Sequence, residues 1–304
     1  MSRLVLALLA ILALGPAPGL AAEGKVPVVA SFSILADFVR EVGGDRVEVS
    51  ALVGPDADLH SFQPSPADAR RLKEARLVVV NGLGLEGWMD RLVRSSGSKS
   101  VAVLTASTGV SPLKDGAQGG HAHDGHAHDV DPHAWQDVAN AKLYVANIRD
   151  GLVRIDPEGR PAYEANAARY LAQLDELDRD IRTGIAAIPP ARREVISTHE
   201  AFGYFTRAYG IAFTAPQGVS AGGEPSAADV ARIIRQIRAK KIPAVFLENV
   251  SDGRLASRIA AEGGARLGGR LYSDALATPG EPAASYIGMM RHNLAALLSA
   301  LTSG

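Results

Sequence analysis

The chain has 304 residues, more than the roughly 100–200 that a single domain uses, so two domains are expected. Hydrophobic residues make up 47%, charged residues 21%, and the formal net charge is -1, a balance that leaves no basic surplus for neutralising phosphates and excludes nucleic acid as a partner. Cysteine is absent, which excludes disulfides, a thiol-linked lipid anchor and thiolate metal ligands; a metal site in this chain is built from His, Asp and Glu.

The first segment, Met1 to Glu23, reads as a secretory signal. Arg3 gives a short positive region, Leu4 to Leu14 an apolar one, and Gly19-Leu20-Ala21-Ala22 a zone of small residues, so cleavage is expected near Ala21 or Ala22. Gly15-Pro16 breaks the apolar run short of the roughly 20 residues that a membrane span needs.

Valine-rich runs then alternate with helical patterns, the signature of βαβ units and a mostly parallel sheet. Strands are predicted at Val26 to Ser31, Val47 to Val53, Leu77 to Asn81 and Val101 to Leu104. Helices are predicted at Ile34 to Val42, Pro66 to Ala75 and Gly87 to Arg94. Tyr163 to Ile188 is one long helical pattern that Pro189-Pro190 stops. A second α/β set follows, with strands at Glu194 to Ser197, Gly210 to Phe213, Ala244 to Glu248 and Arg270 to Tyr272. Ser226 is placed to cap a helix carrying Val230, Ile233, Ile234 and Ile237, Gly263-Gly264 closes another, and Ala284 to Leu301 forms the last. The chain thus divides into a signal peptide (1–22), an N-terminal α/β lobe (23–160), a spine helix (161–190) and a C-terminal α/β lobe (191–304).

Of the eight histidines, four fall in the tract His121-Ala122-His123-Asp124-Gly125-His126-Ala127-His128-Asp129, within a loop over 115–130 whose composition suits weak, reversible capture of a borderline metal. His60, His133 and His199 fall in predicted loops, where α/β sheets gather ligands beyond the carboxyl ends of their strands. Asp274 follows another strand as a candidate fourth ligand; Asp58, Glu200 and Glu248 compete for that role, and His292, inside the last helix, reads as structural. Four protein ligands around zinc leave no position for an activated water, which describes a carrier and not an enzyme. The chain also lacks the His-Glu-x-x-His helix of a zinc hydrolase.

These motifs resemble the metal-binding family of ABC-transporter substrate-binding proteins, the zinc and manganese class of periplasmic carriers. The resemblance runs through the mature chain, in the run from Pro55 to Pro66, in Asp131-Pro132-His133-Ala134-Trp135, in His199 to Phe205, and in Tyr272-Ser273-Asp274-Ala275-Leu276. It implies two lobes of mostly parallel sheet joined by one long rigid helix, with the metal at their interface held by His60 and His133 from the first lobe and His199 and Asp274 from the second. It further implies a monomer in the periplasm that passes its metal to an ABC permease in the inner membrane, with a zinc-donating periplasmic protein as a further candidate partner. Manganese carriers of the family tend to place Glu where His199 stands, and zinc carriers tend to carry a His-rich loop, so zinc is the expected cargo, with a manganese or iron carrier as the alternative and an adhesin on the same scaffold as a more distant one.

Overall fold

The computed structural model describes residues 24–98, 101–114, 130–218 and 225–302. In the first lobe β1 (Val26–Phe32) runs into α1 (Ser33–Gly43), β2 (Val47–Val53) leads to α2 (Pro66–Glu74), and β3 (Leu77–Val80) to α3 (Met89–Ser96) and β4 (Ala102–Thr105). A short antiparallel pair, β5 (Leu113–Lys114) and β6 (Val130–Asp131), precedes α4 (Val138–Ile155) and α5 (Arg160–Ala186). The second lobe comprises β7 (Glu194–Ile196), α6 (Gly203–Tyr209), β8 (Ala212–Thr214), α7 (Ala227–Lys240), β9 (Ala244–Glu248), α8 (Gly253–Gly263), β10 (Arg266–Leu271) and α9 (Tyr286–Thr302). The two four-stranded sheets have the orders β2-β1-β3-β4 and β10-β9-β7-β8, and every pairing within them is parallel.

The strands sort their side chains by parity. On β1, Val28, Ala30 and Phe32 enter a large core, while Val29 faces a separate cluster with Leu72 of α2 and Leu92 of α3. On β9, Ala244 and Phe246 join the large core, while Val245 packs with Ile233 and Ile237 of α7 and Ile259 of α8. Each sheet therefore has private helices on one face and shared helices on the other. The shared layer is α1, α4, α5 and α9, where Phe38 meets Tyr286, Tyr144 and Tyr170 at ring-centroid distances of 4.7, 6.1 and 6.3 Å.

α5 is 27 residues long, about 40 Å at 1.5 Å per residue. Tyr163, Ala167, Tyr170, Leu174, Leu177, Ile181 and Ile185 form its buried stripe at helical spacing. That stripe packs on α1 and α4 at one end and on α6 and α9 at the other. The long helix is thus embedded in the core common to both lobes.

Helix starts follow side-chain chemistry. Ser65 and Asp68 form a reciprocal capping box at α2, and the Ser226 hydroxyl accepts the Asp229 N–H at the start of α7. Most boundaries lie within a few residues of the sequence expectation, and the larger differences have local causes. β8 begins at Ala212 because Gly210 is the left-handed cap of α6, with φ 78°. β10 begins at Arg266, earlier than Arg270, because Gly268 and Gly269 remove the apolar signal; at Gly268 a Cβ would come within 2.5 Å of the Phe246 ring, and the register shifts between Leu267 and Arg270. α4 is a helix that the periodicity above does not assign: Gly151 interrupts it, yet Val138, Ala141, Tyr144, Val145, Ile148 and Leu152 are all buried.

Candidate metal centre

Four loops beyond strand ends meet at one point. After β2, the Asp58 carboxylate accepts the His60 backbone N–H at 2.8 Å and turns the chain so that His60 points inward. At the end of β6, Asp131 Oδ1 accepts both the backbone N–H of His133 (2.9 Å) and its ring Nδ1–H (2.8 Å). His199 lies three residues past the end of β7, and Asp274 three residues past the end of β10. The Ser273 carbonyl accepts Trp135 Nε1–H and Gln136 Nε2–H, both at 2.8 Å, so the segment carrying His133 holds the segment carrying Asp274. Trp135 also packs its ring against His133 and Phe32.

One ligand atom from each of His60, His133, His199 and Asp274 lies within 4.8 Å of the other three. The closest pairs are His199 Nε2 to Asp274 Oδ2 at 3.0 Å, His60 Nε2 to Asp274 Oδ2 at 3.3 Å, His60 Nε2 to His133 Nε2 at 3.3 Å and His133 Nε2 to Asp274 Oδ1 at 3.4 Å. Four ligands roughly 2.0–2.1 Å from a tetrahedral ion stand roughly 3.3 Å apart, so these four separations suit a small divalent cation. The side chains of His133, His199 and Asp274 are fully buried, and that of His60 is 3% exposed. Among the described residues, both Asp274 oxygens and both His199 ring nitrogens lack a hydrogen bond of acceptable geometry. Buried acceptors left so would carry a large desolvation penalty, which a shared cation removes.

The electrostatics of the cluster favour positive charge. Burial disfavours the His199 imidazolium, but Glu248 and Asp274 outweigh burial and raise its pKa well above the usual histidine value. Burial likewise opposes ionisation of Asp274, but His199 and His133 hold its carboxyl well below the usual range. Positive charge is favoured at this point whether protons or a metal ion supply it.

Of the competing carboxylates, Asp58 shapes the His60 turn. The Glu200 backbone N–H is given to Gly218. Glu248 lies behind His199, its Oε2 2.8 Å from Nδ1. His292 is away from the cluster, its ring on Tyr272 and its Nε2 3.0 Å from the Arg270 carbonyl. His121, His123, His126 and His128 lie outside the described residues. Sequence reasoning missed a buried support beneath His133: Glu86 accepts Ser31 Oγ–H and the N–H groups of Asn81 and Gly82, while Asn81 binds the Pro132 carbonyl and receives the Tyr144 hydroxyl. No periodicity marks these residues, and only Glu86, a lone acid in the apolar run Gly82 to Trp88, carries a signal.

A buried centre of three imidazoles and one carboxylate, set among loops of two parallel-sheet lobes that share a helical layer, defines a two-lobed metal-binding protein. The model of the periplasmic zinc-uptake complex component A family, ZnuA, matches residues 28–300, and the chain belongs to this family of ABC-transporter substrate-binding proteins. It is similar to the manganese-binding lipoprotein MntA of Halalkalibacterium halodurans, with 32% identity over 285 residues, 93% of this chain and 91% of that one. It is also similar to the iron-binding protein YfeA of Yersinia pestis, with 32% identity over 266 residues, 88% of this chain and 83% of that one. Among solved structures, the periplasmic zinc binding protein TroA of Treponema pallidum superposes with a TM-score of 0.82 at 30% identity, covering 91% of this chain and 99% of that one. The relatives named here are binding proteins. Among the described residues no helix is long and apolar enough to cross a membrane.

Proposed function

We propose that the chain is a zinc carrier that holds one Zn2+ through His60, His133, His199 and Asp274 and delivers it to an ABC permease for import. The observation that carries this reading is the convergence of the four ligand atoms within 4.8 Å, with the Asp274 oxygens and His199 Nε2 without hydrogen bonds among the described residues. Three borderline nitrogen donors and one carboxylate favour zinc, whereas manganese favours an oxygen-rich shell. In this reading residues 1–22 are removed on export to the periplasm, and residues 23–160 and 191–304 form the lobes joined by 161–190. The mature chain acts as a monomer. His121, His123, His126 and His128 capture zinc, from solution or from a donor protein, and pass it inward. Loading releases protons, because imidazole binds metal only in its neutral form.

A manganese or iron carrier is the second reading, favoured by the names of the two relatives at 32% identity. Competitive titration of Zn2+ against Mn2+ and Fe2+ separates the two. Zinc retained with His121 to His128 deleted and weakened by His199→Ala supports the first reading; manganese or iron held in preference to zinc supports the second.

A further inference from the structure

We infer that Glu248 is a positioning residue that fixes the tautomer of His199, so that the Nε2 lone pair faces the metal. The inference rests on His199 being a ligand, as proposed above. Glu248 lies at the end of β9, and its two oxygens have different tasks. Oε1 accepts three donors: Thr198 N–H at 2.8 Å, Thr198 Oγ–H at 2.6 Å and His199 N–H at 3.1 Å. Oε2 faces His199 Nδ1 at 2.8 Å as an ion-pair contact, with the Ser273 hydroxyl also beside the carboxylate. A carboxylate oxygen only accepts, so Nδ1 keeps its proton, and Nε2 is the nitrogen that gives up the imidazolium proton when a metal binds.

His133 has a similar partner with a different division of labour. A single oxygen of Asp131, Oδ1, accepts both the backbone N–H of His133 and its Nδ1–H. The two sites therefore respond differently to exchange of acid for amide. In Asp131→Asn the amide oxygen keeps both hydrogen bonds and the tautomer survives. In Glu248→Gln the amide oxygen is held by its three donors, because turning the amide over would set its NH2 against two buried backbone N–H groups. The NH2 group then faces Nδ1, which must accept, and the His199 proton moves to Nε2, pointing at the metal position. The same exchange beside a catalytic histidine keeps the geometry and traps the wrong tautomer.

The test is a competitive zinc titration of the full chain and its Glu248→Gln, Asp131→Asn and His199→Ala variants, with proton–nitrogen long-range NMR of the histidine rings. Glu248→Gln is expected to weaken zinc binding by about 10–100-fold and to show Nε2–H at His199, and Asp131→Asn to lose less than about tenfold. In the zinc-loaded parent, His199 is expected to carry metal on Nε2 and a proton on Nδ1, a readout that holds even if the Gln variant does not fold. Parent-like binding or an Nδ1–H tautomer in Glu248→Gln, or zinc on Nδ1 in the parent, overturns the inference while leaving the site intact if His199→Ala still weakens zinc. Parent-like binding by His199→Ala removes this inference and the proposed site together.

Discussion

Asp274 faces three imidazoles within 3.4 Å, and among the described residues neither of its oxygens has a hydrogen bond. Outer-shell changes at metal sites cost roughly 10–100-fold, so loss of this ligand in Asp274→Ala is expected to weaken zinc by more than about 100-fold in a competitive titration. Trp135 acts indirectly, through its N–H to the Ser273 carbonyl. Trp135→Phe removes that bond but leaves the one from Gln136, so a loss near 1 kcal/mol is expected, read as a lower denaturant midpoint with an unchanged slope. His60 and His199 could be read from the sequence because each stands past a predicted strand, and His133 as a histidine in a predicted loop; the Asp131 contact that orients its ring was not read. Glu248 stood out only as one of several acids. Its relation to His199 spans 49 positions and depends on β9 lying beside β7, which no local pattern encodes. Glu86, Asn81 and Tyr144 were hidden for the same reason: their partners are brought together by the sheet and by α4.

Among the elements, α5 was legible because its apolar stripe persists over 27 residues, while its role in the core was not, since a stripe does not name its partners. Leu174 is fully buried in the layer shared by both lobes. Leu174→Ala is expected to destabilise the chain by roughly 2–5 kcal/mol in one cooperative transition, and two separate transitions would mean that the lobes unfold independently. The strand of β10 was obscured by Gly268 and Gly269, of which Gly268 lies too close to the Phe246 ring to carry a Cβ. α1 and α9 are joined through Asp37, whose carboxylate accepts the first N–H of α9, from Tyr286, at 2.8 Å. Burial, with Glu41 adding to it, pushes the Asp37 carboxyl up to about 6 from 3.8, against the opposing effects of the Tyr286 N–H and Arg40. Between those values the folded chain holds a proton that the unfolded chain has lost, so stability falls as pH rises and the Asp37 contribution is gone above about pH 6. A shift of that size corresponds to about 3 kcal/mol. Asp37→Asn is expected to remove this slope and to be the more stable protein above pH of about 7, as read from unfolding midpoints across pH.

For the whole molecule, a core that runs without interruption from β1 through α5 to α9 resists wide rotation of one lobe against the other. Metal loading is therefore expected to change the radius of gyration little in X-ray scattering, with the shifts confined to the loops of His60, His133, His199 and Asp274. A large compaction on loading would show that the shared layer yields as a hinge. Metal bound only by the folded chain also stabilises it, by about 2.7 kcal/mol at a hundredfold excess over Kd, so chelation is expected to lower the melting temperature. The most direct measurement is metal content after purification followed by competition between zinc and manganese, in the parent and in His199→Ala. One zinc per chain, not displaced by manganese and weakened by the substitution, is the expected result. Manganese held in preference to zinc, or zinc held as tightly without His199, would contradict a zinc carrier built on these four residues.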